Sequence, residues 1–317
     1  MSPQSRAPGG AEVEPPLLIT TERPGRADLM QAGVVVALLV AALLAAAPVS
    51  GLPLPGTEPL TAAYLAATMI CQGLTAALLV GMNSVQPSRA LLTLAAGYLY
   101  AAAMIVPWGI SFPGAFPALD DHWRLNATAT VAAANRLGFP LFVLAYALRP
   151  VDAAPVSRRA TAATLLAVVA GVALFGWAVL FTDLPLPPFM RDARHVSPLW
   201  HVVPPAALAI CLLAIAALLR RFGSLLDLWL IVTLVSLIIE IVLLAWLSGG
   251  ARLSLGWWAG RLFGLVAANV VLVTLLVGAM RLSARHARAV LAERRARESR
   301  LTLVEAVSGA LAHELRQ

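Results

Sequence analysis

Of 317 residues, 60% are hydrophobic and 12% charged, and the mean hydropathy is +0.83. A soluble domain is about a quarter charged, so this composition excludes an ordinary soluble fold and predicts an all-α polytopic membrane bundle. The formal charge of +7 comes from arginine alone. With no lysine in the chain, a lysine-linked Schiff base and a Walker-A phosphate loop are both excluded.

The first element, residues 1–28, is polar and rich in Pro, Gly and Glu, and reads as a disordered cytoplasmic tail. That leader is too long for an ordinary signal peptide, so the first apolar run is an uncleaved span. Eight spans follow, at 29–47, 58–80, 89–110, 125–148, 161–182, 201–219, 225–247 and 257–280. Each is long enough to cross about 30 Å of hydrocarbon. Together, residues 29–280 form one membrane unit. The ten-residue alternation of an outer-membrane barrel is not seen. Cys71 and Cys211 fall inside spans and read as small packing residues rather than a disulfide framework.

Arginine sets the orientation. Seventeen of the 23 fall on the side of the two termini, four on the other, and Arg136 and Arg261 lie within spans. The sequence therefore predicts cytoplasmic termini in a bacterial inner membrane. The opposite loops are short and proline-rich, too short to fold as a separate ligand-binding domain. Trp108, Trp123, Trp200, Trp246 and Trp257 lie near that side and read as an interfacial aromatic belt.

Charges at bilayer depth require partners. Glu240 in the seventh span is expected to pair with Arg261 in the eighth or Arg136 in the fourth, with Asn269 completing an intramembrane polar cluster. Such a cluster reads either as a signal-reporting site or as a static tie between helices. His122, His195 and His201, with Asp120, Asp121 and Asp192, gather on the outer loops. Their spacing matches no ligand pattern, so no metal is assigned.

Beyond Met280 the composition changes to alternating Arg, Glu, Ala and Leu. Residues 281–317 read as a charged cytoplasmic helix. Leu301, Val304, Ser308, Leu311 and Leu315 step by three and four, the a/d seam of a dimeric coiled coil. With Leu311 at d, His313 takes position f and faces away from the seam.

Two stretches resemble known families. The first is "GYLYAAAMIVPWGISFPGAF", with Tyr98, Phe112, Pro113, Gly114 and Phe116, followed by "RLGFPLFVLAYAL". It resembles the fourth class of bacterial membrane-associated sensor domains, in which a multi-span sensor precedes a kinase or diguanylate cyclase module. The second, "VSGALAHELRQ", resembles the phospho-acceptor box of sensor histidine kinases.

That second resemblance implies that His313 accepts a phosphoryl group and that Glu314 orients or deprotonates its ring. It implies a homodimer, a cytoplasmic response regulator as partner, and ATP with Mg as substrate of a kinase domain outside these residues. The chain is then expected to be a fragment, or a chain truncated at its acceptor, that binds no cofactor itself. Nucleic acid is not an expected partner; the lipid bilayer is. The competing expectations are a small-solute transporter or channel with a basic tail, and a membrane enzyme with an intramembrane metal or haem.

Overall fold

The computed structural model describes residues 23–113, 115, 126–149, 156–192, 195–249 and 252–314. Eight long helices account for most of them: α1 (Arg26–Ala46), α2 (Leu60–Val85), α3 (Arg89–Ser111), α4 (Ala127–Leu148), α5 (Arg158–Phe181), α6 (Val203–Arg220), α7 (Leu225–Val242) and α8 (Leu255–Glu314). All eight include a stretch long and apolar enough to span a membrane. Lipid offers backbone groups no water, so a helix, which satisfies them internally, is the required local structure. The starts of α3, α5 and α7 lie at one end of the bundle and share a device. Ser88, Ser157 and Ser224 each accept a hydrogen bond from an amide in the first turn, filling an orphan donor.

The middle of the bundle is α3 and α7. Helix α3 packs against α2, α4 and α5, and α7 against α1, α6 and α8. Tyr98 and Leu94 of α3 and Leu226, Leu230 and Leu234 of α7 are wholly buried. Helices α1 and α5 are peripheral. Leu38 and Leu44 on one, and Leu166 and Leu174 on the other, face outward, where lipid tails solvate them as well as a core would.

Because lipid is as apolar as leucine, association inside a bilayer depends on close packing more than on burial. The α7–α8 pair shows how this sequence achieves it. Gly256, Gly260 and Gly264 recur every fourth residue along one stripe of α8. A Cβ at Gly260 would meet Leu244 at 2.7 Å. A Cβ at Gly256 would meet the Ser50 carbonyl at 2.8 Å.

The α1–α2 connection is bonded to the start of α8. Leu54 N–H donates to the Leu253 carbonyl, Leu255 N–H to Leu52 and Gly256 N–H to Ser50, at 2.8–2.9 Å. Leu253 sits at φ 59°, a conformation that costs a side-chain-bearing residue about 1–2 kcal/mol; its carbonyl bond to Leu54 helps hold it there. Helix α7 closes in a single π-helical turn, Leu243–Leu247. Single π turns of this kind recur beside functional sites, and this one starts three residues after Glu240.

Helix α8 continues past the end of the bundle without a break, from Leu255 to Glu314. At 1.5 Å per residue its 60 residues span about 90 Å.

Candidate functional site

Five helices converge on a small cavity within the bundle, of about 100 Å³. Helix α7 contributes Glu240, α8 Arg261, α4 Asn135 and Arg136, α3 Tyr98 and Trp108, and α2 Tyr64 and Gln72. Arg261 Nη1 lies 3.4 Å from Glu240 Oε1, and both side chains are almost fully withdrawn from the surface. The approach is long for a charge-assisted hydrogen bond. Aromatic faces supplement it, for the guanidinium carbon of Arg261 sits 4.8 Å from the Trp108 ring, 4.9 Å from Trp257 and 5.8 Å from Tyr64. Such cation–π contacts gain strength when desolvated.

Gly264 lets the carboxylate in. A Cβ there would stand 2.7 Å from Glu240 Oε2 and 3.2 Å from the Tyr64 hydroxyl. The glycine stripe therefore both packs α7 against α8 and makes room for the charge.

Arg136 shares the cavity wall but stands apart from the pair. Among the described residues it has no ion pair and no hydrogen bond; its guanidinium carbon lies 5.7 Å from the Trp200 ring. Nearby polar atoms are also unmatched. Gln72 Oε1, Asn135 Oδ1 and Arg261 Nε are buried without a hydrogen-bond partner among the described residues. The Tyr98 hydroxyl, also buried here, faces Thr233. Buried polar groups are rarely left without a partner. A second, smaller cavity of about 50 Å³ shares Trp108, Ala132, Arg136 and Arg261 with the first and reaches Met190, Val196 and Arg252 on the connecting loops. Arg252 lies over the Phe112 ring at 5.7 Å and donates to Met190 Sδ. Burial, followed by repulsion from Arg261, lowers its pKa to about 10, so it remains charged at neutral pH.

Of the four residues expected to form one polar cluster, the structure gathers three. Asn269 is the exception. It lies two turns beyond Arg261 on α8, accepts from Cys71 Sγ at 3.3 Å, and donates to the Leu265 carbonyl. Its wall belongs to a separate groove of about 890 Å³ between α1, α2, α7 and α8. The eight-residue spacing along α8 is about 12 Å of rise, which carries Asn269 out of reach of Glu240.

The tryptophans also depart from expectation. Trp108, Trp200 and Trp257 are buried, whereas Trp246 is half exposed. The buried three turn inward because each lies against an intramembrane arginine, which a belt at the lipid interface would leave bare. Trp123 lies outside the described residues. Of the resembling motif, Tyr98 and Phe112 reach the core, with Phe112 stacked between Trp108 and Trp257 at 5.3 and 5.6 Å; Gly114 and Phe116 are outside the described residues.

His195 is engaged with Asp192 at 2.9 Å on the surface, and His201 lies in the short turn that leads into α6. His122, Asp120 and Asp121 lie outside the described residues. Among the described residues no group of three His, Cys, Asp or Glu side chains is gathered to hold a metal ion. His313 and Glu314 occupy the last turn of α8; their side chains, and those of the seam from Leu301 onward, are outside what the structure describes.

Sequence reading missed a second buried ion pair, at the opposite end. Arg221 Nη2 lies 3.1 Å from Asp227 Oδ1, which also accepts from the Tyr146 hydroxyl at 2.9 Å. Arg221 further donates to the carbonyls of Tyr146 and Arg149, and covers the Tyr146 ring at 4.2 Å. As one arginine of a basic loop it looked like an orientation signal only. The available hint was Ser224-Leu-Leu-Asp227, a cap followed by an acid in the first turn. Replacing Asp227 with Ala strands the Arg221 charge and is expected to cost about 3 kcal/mol, read as a lower unfolding midpoint in detergent.

The architecture defines the class as an all-α integral membrane domain with charged groups held at its centre. Residues 55–282 match the family described as "Membrane-associated sensor, integral membrane domain", MASE4. The chain belongs to this family and is an integral membrane sensor domain, associated as such with the lipid bilayer. No curated protein and no solved structure matches the chain.

Proposed function

We propose that this chain is the sensing portion of a protein-histidine kinase in a bacterial inner membrane, with both termini cytoplasmic. A change at the Arg261–Glu240 pair is transmitted along α8 to a phospho-accepting His313, assisted by Glu314. ATP and Mg serve a kinase domain that continues the protein, and a response regulator receives the phosphoryl group. The observation that carries this reading is the continuity of α8. Arg261 and His313 stand 52 residues apart on one uninterrupted helix, about 78 Å at 1.5 Å per residue. No separate sensory module interrupts that path.

The reading requires a homodimer, in which two α8 extensions pair. Val290 is exposed on this extension. It lies in register with the seam when the three-four stepping is carried back through Arg297 and Arg294 to Ala287 and Ser283. Single cysteines at Ser283, Ala287 and Val290, in a background lacking Cys71 and Cys211, are expected to crosslink between protomers in native membranes. Cysteines at Ala292 and Arg295, off the seam, are expected to crosslink poorly. Uniformly absent crosslinks would overturn the dimeric signalling reading.

A further inference from the structure

We infer that the arginine-lined cavity is a binding site for a small carboxylate anion, admitted from the end of the bundle that carries the α5–α6 and α7–α8 connections. This rests on the sensor reading and names the chemistry of its stimulus.

Charge comes first. Among the described residues, the inner cavity is walled by two arginines, Arg136 and Arg261, and one acid, Glu240. Glu240 is committed to Arg261. Arg136 makes no direct ion pair among the described residues; its guanidinium lies 5.7 Å from the Trp200 ring and shares the longer-range field of Glu240 with Arg261. An intramembrane guanidinium in that position is costly, and such residues characteristically mark ligand or ion sites. The missing counter-charge is an anion.

The hydrogen-bonding needs of the cavity agree. Among the described residues Arg261 Nε is a buried donor without an acceptor, and Arg136 lines the same cavity. A carboxylate accepts from a guanidinium fork in a bidentate manner. The Asn135 and Gln72 amide oxygens line the same cavity without a hydrogen-bond partner among the described residues. Amide groups present either oxygen or nitrogen after a flip, so they suit a ligand bearing a hydroxyl or keto group beside its carboxylate.

Size and polarity set the limits. A volume of about 100 Å³ is smaller than the ~150 Å³ of a cavity that admits benzene, which restricts the ligand to two to four carbons. Ala101, Ile105 and Leu237 supply an apolar patch for a short alkyl group. The nearby Glu240 charge opposes a dianion such as phosphate. The route inward is the second cavity, where Arg252 stands near the loops and Arg136 and Arg261 are shared with the inner one. Successive arginines along a low-dielectric passage draw an anion inward.

The experiment uses the purified full chain in detergent, in a buffer free of carboxylates. Acetate, propionate, lactate and pyruvate are titrated by calorimetry and by the fluorescence of Trp108 and Trp257. Propionamide, phosphate and chloride are the controls. Saturable binding of at least one carboxylate is expected, with propionamide and phosphate at least about 10-fold weaker. Arg136→Gln is expected to weaken binding by about 30-fold or more, and Arg136→Lys by less. Arg136→Gln is expected to keep or raise the unfolding midpoint, because it removes an unpaired buried charge. Should Arg136→Gln not fold, Asn135→Ala serves in its place, with an expected loss of about 5-fold.

No saturable carboxylate binding, phosphate binding as tight as carboxylate, or affinity indifferent to both variants would each overturn the inference. None of those results touches the kinase reading, which is measured by phosphoryl transfer. Conversely, carboxylate binding with no change in His313 labelling would leave the site in place and remove its role as the stimulus site.

Discussion

In a form of the protein that continues into a nucleotide-binding domain, His313→Gln is expected to abolish labelling by radioactive ATP, a loss of at least about 1000-fold. Glutamine preserves size and polarity but has no nucleophilic nitrogen. A free imidazole, with a pKa of about 6.5, carries an available lone pair at neutral pH and can attack a γ-phosphate in line. Glu314→Gln is expected to slow labelling by about 100-fold without abolishing it, in the range general-base assistance supplies. The label should be lost in acid and retained in base, as a phosphoramidate requires. Undiminished labelling of the His313 variant would defeat the proposed acceptor. The surrounding "AHELRQ", absent around His286, is the reason this histidine is proposed as the acceptor. The heptad stepping predicts position f for it, off the proposed seam.

Glu240→Gln is expected to destabilise the bundle by about 3 kcal/mol, the lower end of the range for stranding one member of a buried ion pair. Interhelical hydrogen bonds in membranes average only about 0.6 kcal/mol, so this size of loss would identify the pair as a charge interaction. The lower end is chosen because three rings continue to hold Arg261 after the acid is gone. The double variant Glu240→Gln/Arg261→Gln is expected to recover at least half of the loss, because it leaves no unpaired charge. Unfolding by sodium dodecyl sulfate in mixed micelles gives both numbers. A single-variant loss below about 1 kcal/mol, or strict additivity in the double, would reduce the pair to a static neighbourly contact.

The spans were legible because the bilayer admits few solutions. An apolar run of about twenty residues between turn signals must be a helix, and the boundaries of all eight fall within a few residues of the helices observed. The family resemblance was carried by Tyr98 and Phe112, and both lie at the core.

What the sequence hid was rotation. A span's composition states that it crosses; it does not state which face meets which neighbour. Asn269 was grouped with Arg261 because both are polar and share α8, yet eight residues of rise place it in a different groove. Trp108, Trp200 and Trp257 were placed at the lipid boundary because tryptophan favours it, but buried arginines made a stronger claim on their rings. The stripe Gly256, Gly260 and Gly264 was visible in the letters and was overlooked. Its small-residue spacing marks the face along which α7 approaches, and reading it would have oriented α8 and placed Arg261 against Glu240.

The bonds between the α1–α2 connection and residues 253–256 fix one extremity of α8. Treated as a rigid rod turning about Gly256, the helix is a lever. Arg261 lies only five residues from that glycine, and Glu314 fifty-eight. A swing of five degrees displaces Arg261 by under 1 Å and Glu314 by roughly 8 Å, given 1.5 Å of rise per residue. On the proposed signalling reading, this geometry would deliver a sub-ångström event beside the charge pair to the far tip as a movement the width of a side chain.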